Sequence, residues 1–447
     1  MKTSRQSAYD TLLSVCKDKA YSNIALDKTL TEAKLESKDK SFATVLFYGV
    51  LERKITLDYI LSKYSKKPVN KLDKEVLVIL EMGIYQLLYM DSVPDSAAVD
   101  ECVKLVAYAR KASAKPFVNA VLRGFIRDKK EFELPNIKSD KLFHYSVKYS
   151  CPKWLFSQWE KQYDLDTAIK LSKASLERAP LTVRVNTLKT TTEKLIVYLA
   201  NRGVKATEHS YLENCLLLEE TGSIEKLPQY RQGLFYVQDA ASQLCVKALN
   251  PIPNQIVLDI CSAPGSKSFT IAQYMQNEGE LYSFDLYEHK LKLIKDSAKR
   301  LGITIIQTAL QDGAIKNDSI KMADRVLCDV PCSGLGIIRR KPEIKYKNEE
   351  DFKGLPEIQY NILKNAASYV KSGGCLVYST CTTNKKENEE VVNRFLSENN
   401  SFKPLQLAKN ISKIENNNNS MITLLPHINE CDGFFIALFE KSGEILG

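Results

Sequence analysis

Apolar residues in the first 130 positions recur at helical spacing. Two stretches, Ala43–Leu51 (ATVLFYGVL) and Val76–Tyr89 (VLVILEMGIYQLLY), are apolar on most sides, and Leu105–Ala109 and Phe117–Ile126 continue the period. Helices of that kind bury most of their surface against one another, which predicts a compact bundle punctuated by Pro68, Pro94 and Pro116. The tyrosine-bearing second stretch and the Phe117–Arg123 segment are candidates for function, but core packing with one capping Asn119 accounts for the same period. Phe132–Lys153, with Pro135, Pro152 and few long apolar runs, predicts a linker. Beyond it come an amphipathic helix at Trp154–Tyr163, a strand at Leu181–Asn186 with alternating Val183 and Val185, and a helical stretch to about Arg202. With short strands at Leu216–Leu218 and Leu234–Val237 they predict a small α/β module.

At Ile256 the pattern changes. Ile256–Asp259 (IVLD) is a short apolar run ended by an acid, a turn rich in Pro and Gly comes after it, and Ser266–Tyr274 has a helical pattern. A strand, turn and helix in that order set backbone N–H groups and a positive helix end at a strand's carboxyl end, where open α/β sheets bind nucleotide-like ligands. Further strands are expected at Glu280–Asp285, Ile303–Gln307, Asp324–Val330 and Cys375–Tyr378. Helices are expected at Glu288–Leu301 and from Gln238, and a closing strand at Phe434–Phe439. Strands alternating with helices predict a parallel, doubly wound sheet whose carboxyl-end loops gather Asp259, Asp285, Asp312, Asp329, Cys332 and Cys381 on one edge. The fold class is therefore α/β, a Rossmann-like sheet preceded by an all-α bundle and a small α/β module, with divisions at 1–130, 131–235 and 236–447. Asn410–Ser420, with four consecutive Asn, is expected to be a mobile loop.

A chain of 447 residues is too long for one ordinary domain, and 44% hydrophobic residues supply core for two or three. No run of about 18 apolar residues exists, and the start lacks the apolar segment of a signal peptide, so a cytoplasmic protein with no membrane partner is expected. Eleven scattered cysteines without a Cys-x-x-Cys pair, and only four histidines, argue against a metal site and leave most cysteines as small buried hydrophobes. The net charge of +9 is unevenly placed. Lys and Arg outnumber Asp and Glu by 23 to 18 over residues 1–135 and 15 to 12 over 136–240, but only 25 to 24 over 241–447. Auxiliary domains that grip a phosphate backbone have this distribution, as do solvated Lys-rich helix faces.

Two loops carry a thiol to a strand end: Pro331-Cys332-Ser333-Gly334 and Ser379-Thr380-Cys381. Spacing alone leaves burial in the core open for either. Together with IVLDICSAPGSK at Ile256–Lys267, the sequences DVPCSG at Asp329–Gly334 and VYSTC at Val377–Cys381 resemble the motifs of the RNA cytosine-5 methyltransferases that use S-adenosylmethionine. Within that group the chain is similar to the RsmB (Fmu/Sun) family of 16S rRNA methyltransferases. The N-terminal helical region like NusB, VQDAAS at Val237–Ser242, GIIRRKPEIKY at Gly336–Tyr346 and DGFF at Asp432–Phe435 single out this branch. The likeness runs essentially end to end.

C5 of cytosine is a poor nucleophile, so a thiolate must first add to C6, splitting one hard step into easier ones. The resemblance gives that attack to Cys381 and makes Cys332 the thiol that assists loss of the C5 proton and release. It sets Asp329 against the base's polar edge and beside the cofactor, and has Lys267 touch substrate or order its loop. It assigns the cofactor's methionine part to the backbone of Cys261, Ser262, Ala263, Pro264, Gly265 and Ser266, its ribose to Asp285 and its adenine to Asp312. Arg339, Arg340, Lys341 and Lys345 follow the Pro-Cys loop and are candidates to hold RNA phosphates beside the target nucleotide, with a Lys-rich surface helix as the equal alternative. The family loop usually has two glycines before the lysine, and here Ser266 takes the second place. Serine is strained there if φ is positive and well suited if the position opens a helix; the latter is expected.

Rival readings remain. A DNA cytosine-5 methyltransferase attacks from its Pro-Cys loop and has no need of Cys381. A nicotinamide dehydrogenase lacks support without G-x-G-x-x-G. The RNA substrate could be tRNA or 23S rRNA, and a non-catalytic assembly factor would keep the fold without the chemistry. The expected partner is 16S rRNA, free or in an early small-subunit particle, with no metal and a monomeric enzyme.

Overall fold

The computed structural model describes residues 2–18, 21–128, 130–407 and 420–443; of the Asn-rich stretch, all but Ser420 lies outside them. The chain forms two compact units, Met1–Arg178 with Ile338–Glu349, and Ala179–Ile337 with Glu350–Gly447.

The first unit is helical: α1 (Ser4–Asp18), α2 (Ser22–Ala33), α3 (Ser37–Tyr64), α4 (Lys74–Tyr89), α5 (Asp95–Tyr108) and α6 (Lys115–Arg127), then α7 (Lys141–Tyr149), α8 (Lys153–Gln162) and α9 (Leu165–Ala174). The two most apolar sequence stretches form its centre, with Leu46, Phe47, Ile79 and Leu80 fully buried beside Val118 and Phe125. Helix α7 lies inside the stretch expected to be a linker. Asp140 caps it, accepting a hydrogen bond from the Phe143 N–H at 2.8 Å. Thr56 on α3 donates to the Val147 carbonyl at 2.6 Å, which fixes the helix to the bundle.

The segment Ile338–Glu349 also belongs to this unit. Its Pro342–Tyr346 turn is bound to the end of α3, where Lys345 Nζ donates to the Glu52 carbonyl at 2.6 Å and the Tyr346 hydroxyl to the Leu51 carbonyl at 2.7 Å. Lys345, a candidate for RNA phosphates, is instead fully buried, because its apolar stem and its neighbours Ile344 and Tyr346 complete the bundle's surface. Burial pulls its ammonium down to about 8, against Cys151 and Glu52. Burial likewise pushes the Glu52 carboxyl up from 4.5 to about 7, against Lys345 and Arg53. The folded chain therefore holds a proton on Glu52 that the unfolded chain releases near pH 4.5. This contribution to stability is full below pH 4.5 and is lost as pH rises to about 7, at most about 3 kcal/mol. Urea unfolding across that range should show the decline in the wild type and a flatter profile in Glu52→Gln.

The second unit opens with a four-stranded antiparallel sheet in the order β2-β3-β1-β4, from β1 (Leu181–Val185), β2 (Lys205–Glu208), β3 (Cys215–Glu219) and β4 (Phe235–Val237). Helix α10 (Thr192–Ala200) and the single turn α11 (Pro228–Arg231) accompany it. The edge strand β2, sequence KATE, has no apolar alternation to announce it. Arg184 and Asn186 fix this module to the rest of the second unit. Arg184 donates to Gln273 at 2.9 Å and Gln243 at 3.2 Å, and Asn186 donates to the Leu301 carbonyl at 2.8 Å.

Next come α12 (Ala240–Leu249) and β5 (Ile256–Asp259), α13 (Ser266–Tyr274), β6 (Glu280–Asp285), α14 (Glu288–Leu301), β7 (Ile306–Leu310), β8 (Ala323–Asp329), α15 (Leu355–Ser368), β9 (Val370–Thr380), α16 (Glu389–Glu398), β10 (Phe402–Pro404), β11 (Met421–Leu424) and β12 (Phe434–Lys441). The sheet order is β10-β12-β9-β8-β5-β6-β7, with β11 on β12. Strands β7, β6, β5, β8 and β9 are parallel, and β12 runs antiparallel to β9. From β5 the chain winds outward to β6 and β7, then crosses to β8 and β9, so the switch point lies at the carboxyl ends of β5 and β8. The third parallel strand begins at Ile306, three residues later than expected. Ile303 instead closes α14, its N–H bonding to the Ala298 carbonyl at 2.9 Å while Gly302 takes the left-handed conformation (φ 76°). Among the described residues no helix is long and apolar enough to cross a membrane, and no group of three or more His, Cys, Asp or Glu is placed to hold a metal.

Candidate active site

The loop after β5 is built around one backbone constraint. Gly265 has φ 103°, and a Cβ there would lie 2.7 Å from the Phe269 ring. Ser266 is the first residue of α13, so the serine opens the helix and the positive φ falls on the glycine before it. The Ala263–Pro264 peptide is cis. Ser262 is tied to the Phe284 carbonyl by its N–H and its hydroxyl, both at 2.8 Å. Asp285, at the end of β6 and buried, accepts from the Ala263 N–H at 3.2 Å and the Tyr287 N–H at 3.1 Å. Asp312, two residues past β7, accepts from the Ala314 N–H at 2.9 Å. Asp259 is pushed up to about 7 by burial, with the Ser268 hydroxyl opposing from 2.6 Å and Asp329 adding to the rise; its Oδ1 is buried without a partner. Cys261 is pushed well above the ordinary thiol range by burial and by Asp259, Asp329, Asp285 and Asp312, so the strand-end acids converge on this loop.

At the end of β8, Asp329 is held by both oxygens. Lys267 Nζ lies 2.7 Å from Oδ2, and the Ser379 hydroxyl donates to Oδ1 at 2.8 Å. The Lys267 ammonium also sits 5.3 Å from the centre of the Phe434 ring. Burial lowers its proton affinity, but Asp329, together with Cys245 and Asp259, raises it overall.

The thiols come next, on adjacent parallel strands, with Asp329 of β8 in register with Ser379 of β9. Cys332 Sγ and Cys381 Sγ lie 3.2 Å apart, close enough to share one proton. Cys332 is held well above the ordinary thiol value by its hydrogen bond to Cys381, by burial and by nearby negative charge. Seven of the other cysteines are buried, which is the small-hydrophobe role expected for most of them.

Two features of the thiol loops were not legible in the sequence. Gly336 and Gly433 touch backbone to backbone: Gly433 N–H donates to the Gly336 carbonyl at 2.9 Å, and Gly336 N–H to the Cys381 carbonyl at 3.0 Å. A Cβ on Gly336 would sit 1.9 Å from the Gly433 oxygen. Gly336→Ala should therefore destabilise the protein by about 1–3 kcal/mol. By displacing Cys381 it should also slow turnover about 100-fold; urea unfolding and methyl-transfer assays check the two effects. The second feature is Glu387, fully buried between the loops, which accepts from the Ser333 N–H at 2.8 Å and the Asn384 amide at 2.9 Å. The run Asn384–Glu390 (NKKENEE) has the composition of a solvated surface, and nothing in its spacing marks one glutamate as interior. Arg339, Arg340 and Lys341 belong to the first unit and are half-buried, and Lys341 Nζ lies 5.5 Å from the Tyr21 ring centre.

Comparison with known proteins gives the chain a family. Residues 246–440 match the family model of the 16S rRNA methyltransferase RsmB/F, residues 2–127 that of the NusB family, and residues 151–225 that of the RsmF/B-like ferredoxin-like domain. A probable ribosomal RNA small subunit methyltransferase B of Bacillus subtilis (strain 168) is 36% identical over 451 residues, covering 99% of this chain and 100% of the relative. One from Synechocystis is 33% identical over 450 residues with the same coverage. Among solved structures, PH0851 superposes with a TM-score of 0.82 at 25% identity, covering 97% of this chain and 98% of that one. NSun6 from Pyrococcus horikoshii, solved with SFG, shares the fold over 66% of this chain and 99% of its own, with a TM-score of 0.60 at 23% identity.

Proposed function

We propose, since this chain belongs to the RsmB/F family of 16S rRNA methyltransferases, that it methylates C5 of one cytosine in small-subunit rRNA, free or in an early small-subunit particle. The methyl donor is S-adenosylmethionine, and the enzyme acts as a cytoplasmic monomer. Residues 1–130, the NusB-like bundle with the larger basic excess, grip RNA, and Arg339, Arg340 and Lys341 contact phosphates. Residues 131–235 supply helices α7 to α9 and the small module, and residues 236–447 carry the chemistry.

The loop at Cys261–Lys267 suits a nucleoside with a charged amino-acid tail. It has a helix N-terminus behind a glycine turn, a buried acid at the next strand end for two hydroxyls, and an unpartnered buried oxygen on Asp259. Asp285 would hold the ribose and Asp312 the adenine side. When bound, S-adenosylmethionine supplies an electrophilic methyl group.

What supports covalent catalysis is one observation, the 3.2 Å thiol pair on adjacent strand ends beside the Lys267–Asp329 pair. Cys381 Sγ forms a bond to C6, and the electron pair of the C5=C6 bond moves to C5, which becomes able to take a methyl group. Asp329, oriented by Ser379 and Lys267, faces the polar edge of the base, where density also arrives, and the Lys267 cation offsets it. The C5 proton then leaves to water, the C5=C6 bond re-forms, and the C6–S pair returns to Cys381 with assistance from Cys332. Since the target carbon is inaccessible in a stack, the cytosine must be unpaired or turned out.

The test is transfer of labelled methyl groups to purified 16S rRNA, 23S rRNA and tRNA, with the product nucleotide mapped. One modified cytosine in 16S rRNA is expected. Modification of tRNA or 23S rRNA instead would move the substrate assignment. No transfer to any would favour an assembly factor.

A further inference from the structure

Glu387 is buried between the two cysteine loops and accepts hydrogen bonds from both. Its Oε1 accepts from the Ser333 hydroxyl at 2.5 Å and the Asn384 amide at 2.9 Å, and its Oε2 from the Ser333 N–H at 2.8 Å and the Gln359 amide at 2.9 Å. Gln359 also donates to the Pro331 carbonyl at 3.0 Å, so the residues on both sides of Cys332 are pinned. On the other loop, Asn384 N–H points to the Thr382 hydroxyl at 3.2 Å, and that hydroxyl lies 2.8 Å from Ser333 Oγ. The hydrogens thus run in one direction, from Asn384 through Thr382 and Ser333 to the carboxylate. Four donors therefore point at this one carboxyl group, two to each oxygen.

We propose that Glu387 is the positioning residue that assigns the two thiols their roles: it fixes the Cys332 loop on the Cys381 loop and reserves Cys332 as an S–H donor. At release the C6–S electron pair returns to the Cys381 sulfur as water takes the C5 proton, and the Cys332 S–H donates to that sulfur as it leaves. The inference rests on Cys381 being the attacking thiol. The charged groups bearing on Cys332 are Cys381, from the loop after β9, and Glu387, ahead of α16; both favour its protonated form, and the Gly334 N–H opposes them.

The experiment maps iodoacetamide labelling of Cys332 by mass spectrometry against pH in the full-length protein, wild type and Glu387→Gln. RNA adducts formed with 16S rRNA and S-adenosylmethionine are run on denaturing gels alongside. The wild-type midpoint of Cys332 should lie well above the ordinary thiol value, and a midpoint at or below that value overturns the proposal without any variant. In Glu387→Gln the midpoint should fall by at least about one pH unit, with about a ten-fold gain in labelling rate at neutral pH. The covalent RNA adduct should also accumulate. An unchanged Cys332 profile in a variant with wild-type melting and cofactor binding would overturn the role given to Glu387 alone. Adduct formation by Cys381→Ala would instead overturn the assignment of attack, and this inference with it.

Discussion

Cys381→Ala is expected to abolish methyl transfer, by about 10⁴-fold or more, while cofactor affinity stays at the wild-type level. Removal of the nucleophile from a covalent site has effects of this order, because what remains is only positioning and electrostatics. Cofactor affinity is spared because the loop at Cys261–Lys267 hangs on β5, β6 and α13, none of which Cys381 supports. The companion variant Cys332→Ala should behave differently. It retains the thiol that attacks C6 and loses the one beside it at 3.2 Å, so a protein–RNA adduct forms and persists on a denaturing gel. The pair of variants decides between the two cysteine chemistries. If Cys381→Ala traps RNA and Cys332→Ala does not, the Pro-Cys loop attacks, as in the DNA enzymes. If neither does, the domain methylates without a covalent adduct or the RNA supplied is not its substrate.

The parts of this site that sequence reveals are those whose residue type is fixed by a local requirement. The strand ends at Asp259 and Asp285, and helices α13 and α14, fall at the expected residues, because short apolar runs and a 3.6-residue period leave few alternatives. Serine at position 266 was readable as a helix opener because only the residue before it needs a positive φ. The misreadings share a different cause. Ile303 is apolar for the sake of a helix end, and α7, nine residues long, is too short to stand out between two prolines, although Asp140 three residues before the Phe143 N–H was a usable sign. Lys345 and Glu387 are charged residues taken inside by contacts far along the chain, with Glu52 in one case and Ser333 in the other. A charged side chain is buried only where distant groups satisfy it, so composition points such residues to the surface. Pairing of β8 with β9 brought Cys332 and Cys381 together, which the order of motifs implied but spacing alone left open.

Lys267→Met should lower turnover by about 10²–10³-fold, the scale of losing one preorganised charge at the reacting group. It should also destabilise the protein by about 3 kcal/mol, because Asp329 would keep its Ser379 hydrogen bond but lose its cation in a largely buried position. The ammonium acts as a fixed charge and not as a base. Its proton affinity is raised above the ordinary value of 10.5, so the stability it contributes is full below pH 10.5 and is lost only as pH rises through its higher folded value. A rate profile between about pH 6 and 9 should therefore show no step that disappears in Lys267→Met. Two roles for this lysine, ordering Asp329 or touching the RNA, separate in a double-mutant cycle with Asp329→Asn. If the 2.7 Å pair works as a unit, the double variant is hardly slower than either single one, because each single change already removes the pair. Losses that multiply would mean that the two residues act independently, Lys267 contacting the substrate on its own account.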